Sequence, residues 1–292
     1  MNFNILSYTK TNDMKFRTLA ICSILSLILF SACTSNDKKD EKIVPVETKT
    51  PKLKEEEIVY NVDSLKMHSF VVYDENVQGK RPAVLVVHEW WGLNDYIKRR
   101  ARQLAELGYI AMAVDMYGND RKGANPDEAG KLAMPFYQNP QIPKKHFDAG
   151  VTELLKYPQT DTSKMAAMGY CFGGGVVIGV ANLGEDLKGV VSFHGNLTVV
   201  PPNKDLLKAD ILVCHGEADS LVKQSEVDAF KKQMDAIGKP YTFRSYPNAQ
   251  HAFTNPQATE WGQKFKIPVS YNGPADTASW NEMKLFFGKI FK

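Results

Sequence analysis

Gly169-Tyr170-Cys171-Phe172-Gly173-Gly174 sits between two apolar runs. Met165 to Met168 precedes it and reads as a short buried strand. Gly175 to Ala181 follows it and reads as the start of a helix. A strand that turns at once into a helix needs a tight elbow. Glycines two residues either side of Cys171 remove the side chains that would collide there. The pattern G-x-C-x-G is the arrangement that presents a nucleophile above the ends of a sheet, with a thiol where a serine is usual. A helix N-terminus next to that thiol favours its anionic form.

The chain around this elbow alternates strands and helices. Ile58 to Val62 and Met67 to Tyr73 suggest an antiparallel pair at a sheet edge. Ala83 to His88 is continuously apolar up to its last residue, as a central parallel strand should be. Asp95 to Leu107 has helical spacing and ends at Gly108. Tyr109 to Val114, Gly189 to Phe193, Ile211 to Cys214 and Tyr241 to Tyr246 read as further strands. His146 to Lys156, Lys223 to Ile237 and Ser279 to Phe291 read as helices. Asp120 to Pro143 reads as a Pro/Gly-punctuated excursion holding a short helix. The expected fold is α/β, with a mostly parallel central sheet and helices on both faces.

Sheets of this kind place their sites at the C-terminal ends of strands. Cys171 ends one strand, Asp219 follows the Ile211 strand, and His251 follows the last strand. That order, nucleophile then acid then base, supports acyl transfer. His251 can take the thiol proton and return it to a leaving group, while Asp219 fixes the imidazole tautomer. Backbone N–H groups of Phe172 and of Trp90, in the turn after the Ala83 strand, are placed to form an oxyanion hole. Glu217 is a competing acid two positions before Asp219. His194, at the end of the Gly189 strand, reads as a satisfied polar residue and is left outside the site.

At these residues the chain resembles the dienelactone hydrolase family of the α/β-hydrolase superfamily. The matching stretches are His88-Glu89-Trp90-Trp91-Gly92-Leu93, the elbow itself, His215-Gly216-Glu217-Ala218-Asp219 and His251-Ala252-Phe253. The resemblance implies an α/β-hydrolase fold, a Cys171–Asp219–His251 triad, and a role for Glu89 in holding the resting thiol and forming the thiolate. It also implies a carboxylic ester hydrolase acting on small-molecule esters or lactones. The family's namesakes bind the substrate carboxylate with arginines, one of them four positions after the triad histidine. That position here is Asn255, and the excursion after Asp115 offers only Arg121. Trp90, Trp91, Tyr117 and Phe253, with Asn255, are therefore expected to line an apolar acyl pocket. The same fold without catalysis would serve as a lipid-anchored binding protein. A thioesterase or peptidase would use the same triad.

The N-terminal part has a different character. Lys15 and Arg17 precede an apolar run from Leu19 to Phe30, too short for a comfortable transmembrane helix. Ser31-Ala32-Cys33 then supplies small residues before a cysteine, so residues 1–33 read as a bacterial lipoprotein signal ending at a lipidated Cys33. Residues 34–57 are rich in lysine and glutamate and read as a flexible polar tether, with the folded domain over residues 58–292. The expected location is the cell envelope, held to the membrane through Cys33. Net charge is +3 and basic residues are not interleaved with aromatics, so no nucleic-acid partner is expected. Cys, His and carboxylates are not clustered at metal-ligand spacing, so neither metal nor cofactor is expected. Cys214 reads as a small core residue, and no disulfide framework is implied.

Overall fold

The computed structural model describes residues 50–292. The signal segment, Cys33 and most of the expected tether lie outside the described residues.

The chain first forms a hairpin, β1 (Leu53–Val62) and β2 (Leu65–Asp74), paired antiparallel along its whole length. β1 therefore begins five residues before the Ile58 expected from sequence, and the stretch from Leu53 to Glu57 is strand rather than tether. Its polarity misleads because it is an edge strand. Glu55 and Glu57 face solvent and pair with Arg102 and Lys98, so no apolar signal marks its start.

β3 (Arg81–Val87) leads through α1 (Asp95–Glu106) to β4 (Ile110–Val114). α2 (Pro126–Gln138) and α3 (Gln141–Leu154) precede β5 (Thr160–Tyr170), and α4 (Phe172–Asn182) follows the elbow. β6 (Gly189–Phe193), β7 (Asp210–Gly216), α5 (Gln224–Ile237), β8 (Tyr241–Tyr246), α6 (Ala258–Phe265) and α7 (Gly273–Ile290) complete the domain. The eight strands form one sheet in the order β1-β2-β4-β3-β5-β6-β7-β8. β2 pairs antiparallel with β4, and every pair from β4 through β8 is parallel.

Strand parity divides the interior into two layers. Leu85 and Val87 point to the face covered by α2, α3, α4 and α5, through side chains such as Phe136, Phe147, Val177 and Phe230. Val84 and Val86 point to the opposite face, covered by α1 and α7 through Ile97, Leu104, Met283 and Phe287. All four strand residues are fully buried, and each such side chain contributes about 1.5–3 kcal/mol.

The excursion after Asp120 is more ordered than expected. Asn125 caps α2 by accepting from the Glu128 amide, and Pro126 opens the helix where a missing N–H is harmless. α6 was not expected at all. It matters because its face reaches the site.

Candidate active site

The elbow is built by close backbone approach. A Cβ on Gly169 would fall on the Gly173 carbonyl, and one on Gly173 would fall on the Val87 carbonyl. These glycines let α4 start directly above β3 and β5, where the Gly173 amide donates to the His88 carbonyl at 3.1 Å. Cys171 pays in conformation: its φ is +53°, in the left-handed region that side chains rarely occupy. It is the N-cap of α4, so the thiol sits at the positive end of a helix whose residues are all buried.

His251 and Asp219 meet as the sequence suggests. The His251 Nδ1–H donates to Asp219 Oδ2 at 2.8 Å, with both residues buried. Asp219 Oδ1 also accepts from the amides of Leu221 and Val222 at 2.8 and 2.9 Å, which fixes the carboxylate. Burial raises the Asp219 pKa, but the His251 bond and charge and these amides outweigh it and hold the group below the usual carboxylate range. Glu217, the competing acid, is exposed. Burial alone would push His251 toward neutrality. The charge on Cys171, the bond to Asp219 and the bond to Cys171 reverse this and hold its pKa well above the ordinary imidazole value. Cys171 thus favours the cationic form of His251.

The turn after β3 is fixed from several sides. His88 Nε2 accepts from the Met116 amide, so its Nδ1–H donates to the Glu89 carbonyl at 2.5 Å. The Tyr117 hydroxyl donates to the Trp90 carbonyl at 3.0 Å. Among the described residues the amides of Trp90 and Phe172 donate to no protein group, as an oxyanion hole requires.

Glu89 is buried and shares the Cys171 cavity. Its carboxylate accepts from Asn255 Nδ2 at 2.6 Å. Burial pushes its pKa up to about 7, against the Asn255 bond and the charges of His251 and Arg100. The family resemblance implies that Glu89 holds the resting thiol, and the sequence by itself leaves the choice between Glu89 and His251 open. Here the Glu89 carboxylate accepts from Asn255, while Glu89 and His251 both share the Cys171 cavity.

Glu89, Cys171 and His251 open onto a cavity of about 280 Å³. Trp90 and Trp91 line it, as expected. Tyr117, Phe253 and Asn255 do not. Tyr117 is fully buried against His88 and Phe172, and Phe253 is fully buried against Tyr246 and His194. Asn255 is likewise fully buried beneath Glu89. Their proximity in sequence to site residues did not reveal which way each side chain turns. In their place the structure brings Tyr137 from α2, Leu221 from the turn after Asp219, and Trp261 from α6. Trp91 packs on Trp261 and Phe265 with ring centroids 5.0 and 5.9 Å apart, so α6 forms the far wall. No lysine or arginine lines the cavity among the described residues. Arg121 instead donates to the carbonyls of Tyr117 and Gly118.

A family model described as "Dienelactone hydrolase family" matches residues 67–291. The chain belongs to the dienelactone hydrolase family. It is a hydrolase on the α/β-hydrolase fold. A dienelactone hydrolase-like promiscuous phosphotriesterase from metagenomic libraries superposes with a TM-score of 0.76 at 31% identity, covering 82% of this chain and 99% of its own. A solved structure titled "m3DLH" gives a TM-score of 0.77 at 30% identity with the same coverage. The protein named "Putative carboxymethylenebutenolidase" in Saccharolobus solfataricus is 26% identical over 279 residues, spanning 82% of this chain and all of that relative.

Proposed function

We propose that this protein hydrolyses neutral esters or lactones through a Cys171–His251–Asp219 triad and an acyl-thioester intermediate. The observation that carries the reading is the buried His251–Asp219 bond, with His251 and Cys171 lining one cavity that holds no cationic side chain among the described residues. The thiolate attacks the substrate carbonyl, and the negative charge on oxygen falls to the Trp90 and Phe172 amides. The His251 imidazolium protonates the departing alkoxide. The imidazole then takes a proton from water, which attacks the thioester; the tetrahedral intermediate expels the Cys171 thiolate and releases the carboxylic acid, with His251 left cationic for the next turnover. Asp219 stabilises the cationic imidazole throughout.

The tryptophan-lined cavity favours an apolar acyl or aryl group, and the place of a carboxylate-binding arginine is taken by Asn255, which is turned onto Glu89. Turnover of p-nitrophenyl butyrate should exceed that of a dienelactone carboxylate, and Cys171→Ala should abolish both while leaving the melting temperature near wild type. Undiminished turnover in Cys171→Ala would remove the covalent mechanism. Preference for the dienelactone would remove the neutral-substrate reading. The export reading is retained as part of the proposal: residues 1–33 direct the chain to the envelope, and Cys33 carries the lipid. Metabolic labelling with a radioactive fatty acid should mark the wild-type chain and not Cys33→Ser.

A further inference from the structure

His194 was set aside from the sequence as a satisfied polar residue. The structure places it between Cys171 and the loop that carries His251. It is buried at the end of β6, with φ at +42°, and its ring touches the His251 ring at a centroid distance of 5.2 Å. Its Nδ1 accepts from the Cys171 amide at 3.1 Å, a donor it shares with the Phe193 carbonyl at 3.0 Å. Its Nε2 lies 2.7 Å from Thr254 Oγ1. Thr254 stands three residues after His251, on the same loop. One imidazole therefore ties the backbone of the nucleophile to the loop that carries the base.

The chemistry permits only one form of the ring. An Nδ1 that accepts from an amide carries no proton, so Nε2 carries it and donates to Thr254. A cationic ring would point an N–H at the Cys171 amide. Burial first, and then the charges of His251 and Arg100, keep His194 neutral, with its pKa well below the ordinary value. The far end of the link is anchored as well. Thr254 Oγ1 lies 2.7 Å from the Tyr96 hydroxyl, and the Thr254 carbonyl accepts from Arg100 Nη2 at 2.8 Å. Arg100 is in turn ion-paired with Asp276 of α7. The Cys171 end is strained, so an outside hold on its amide has something to do.

We infer that His194 is a positioning residue that sets the spacing between the Cys171 sulfur and the His251 imidazole, through a Cys171 amide–His194–Thr254 link. The inference rests on the triad reading above. Side-chain packing around His194 is aromatic, with Tyr170, Phe253 and His251 as neighbours, so His194→Phe fits by shape while losing both hydrogen bonds. Thr254→Val cuts the link at its other end with less risk to the fold, and Thr254→Ser keeps the hydroxyl.

The test uses the full chain. Alkylation by iodoacetamide is followed against pH at the Cys171 peptide by mass spectrometry, with steady-state ester hydrolysis in parallel. A loosened pair stabilises the thiolate less, so the alkylation midpoint should rise by about one pH unit in Thr254→Val and His194→Phe. In both, kcat should fall between about ten- and a hundred-fold with KM little changed, since the substrate cavity is untouched. Thr254→Ser should restore both readouts, and the His194→Phe/Thr254→Val double variant should be no worse than His194→Phe alone. An unmoved alkylation midpoint in both single variants would overturn the positioning role. So would a double variant whose loss is the product of the two single losses. Failure of the triad reading is separate, because that would appear as activity in Cys171→Ala.

Discussion

Replacing Glu89 by glutamine should stabilise the protein in alkaline solution while harming the site. Glu89 is 1% exposed, and among the described residues its carboxylate has one side-chain donor, Asn255 Nδ2. Burial raises its pKa from 4.5 to about 7. The folded protein therefore binds this proton more tightly than the unfolded chain. Stability falls as pH rises from about 4.5 to about 7, and the loss is complete above that window. For a pKa displaced that far the cost is about 3 kcal/mol at pH 8, against about 1 kcal/mol at pH 5.

Glutamine carries no charge, and its side-chain oxygen can still accept from Asn255. The gain of Glu89→Gln over wild type should therefore grow by about 2 kcal/mol between pH 5 and pH 8. For a domain of this size that corresponds to roughly 4–8 °C in melting temperature. Scanning calorimetry of both proteins at the two pH values reads it directly, because other titrating groups cancel in the difference. A difference that does not change with pH would refute the claim that Glu89 is held in a desolvated site. A larger gain at pH 5 than at pH 8 would refute the sign. The same variant should lose activity, because a carboxyl that titrates near neutrality beside the thiol is lost.

Asp219→Asn should lower kcat on the order of 10³- to 10⁴-fold with KM little changed, since an amide cannot stabilise the imidazolium; a loss below tenfold in ester hydrolysis would contradict the triad. Gly173→Ala should cost at least about 3 kcal/mol or prevent folding, because the added methyl meets the Val87 carbonyl and neither backbone can give way; an unchanged urea midpoint would show that α4 is not so tightly seated. Trp261→Ala should raise KM for aryl esters about tenfold, near 1.4 kcal/mol, and leave kcat within a factor of two, since α6 forms the cavity wall away from Cys171; equal KM values would detach α6 from substrate binding.

The legible part of the site follows strand ends. Cys171, Asp219 and His251 each stand just past an apolar run, and a parallel sheet gathers such positions whatever the details of its helices. The positions of Trp90 and Phe172 were legible for the same reason, because each is defined by the turn it sits in. Side-chain direction was not. Tyr117 lies three residues past the end of β4 and Phe253 two residues past His251, yet each turns into the core and is fully buried. Trp261 was missed because α6 is eight residues long and carries only one buried side chain, so periodicity had almost nothing to register. β1 hid its start behind glutamates that an edge strand can leave in solvent. His194 is the instructive case. A buried histidine is satisfied by two partners, and sequence treats that as the end of the matter. The identity of those partners gives it meaning, since one is the nucleophile's amide and the other belongs to the base's loop. A polar core residue becomes part of the site when the groups that satisfy it belong to parts of the chain that chemistry requires to stay in register.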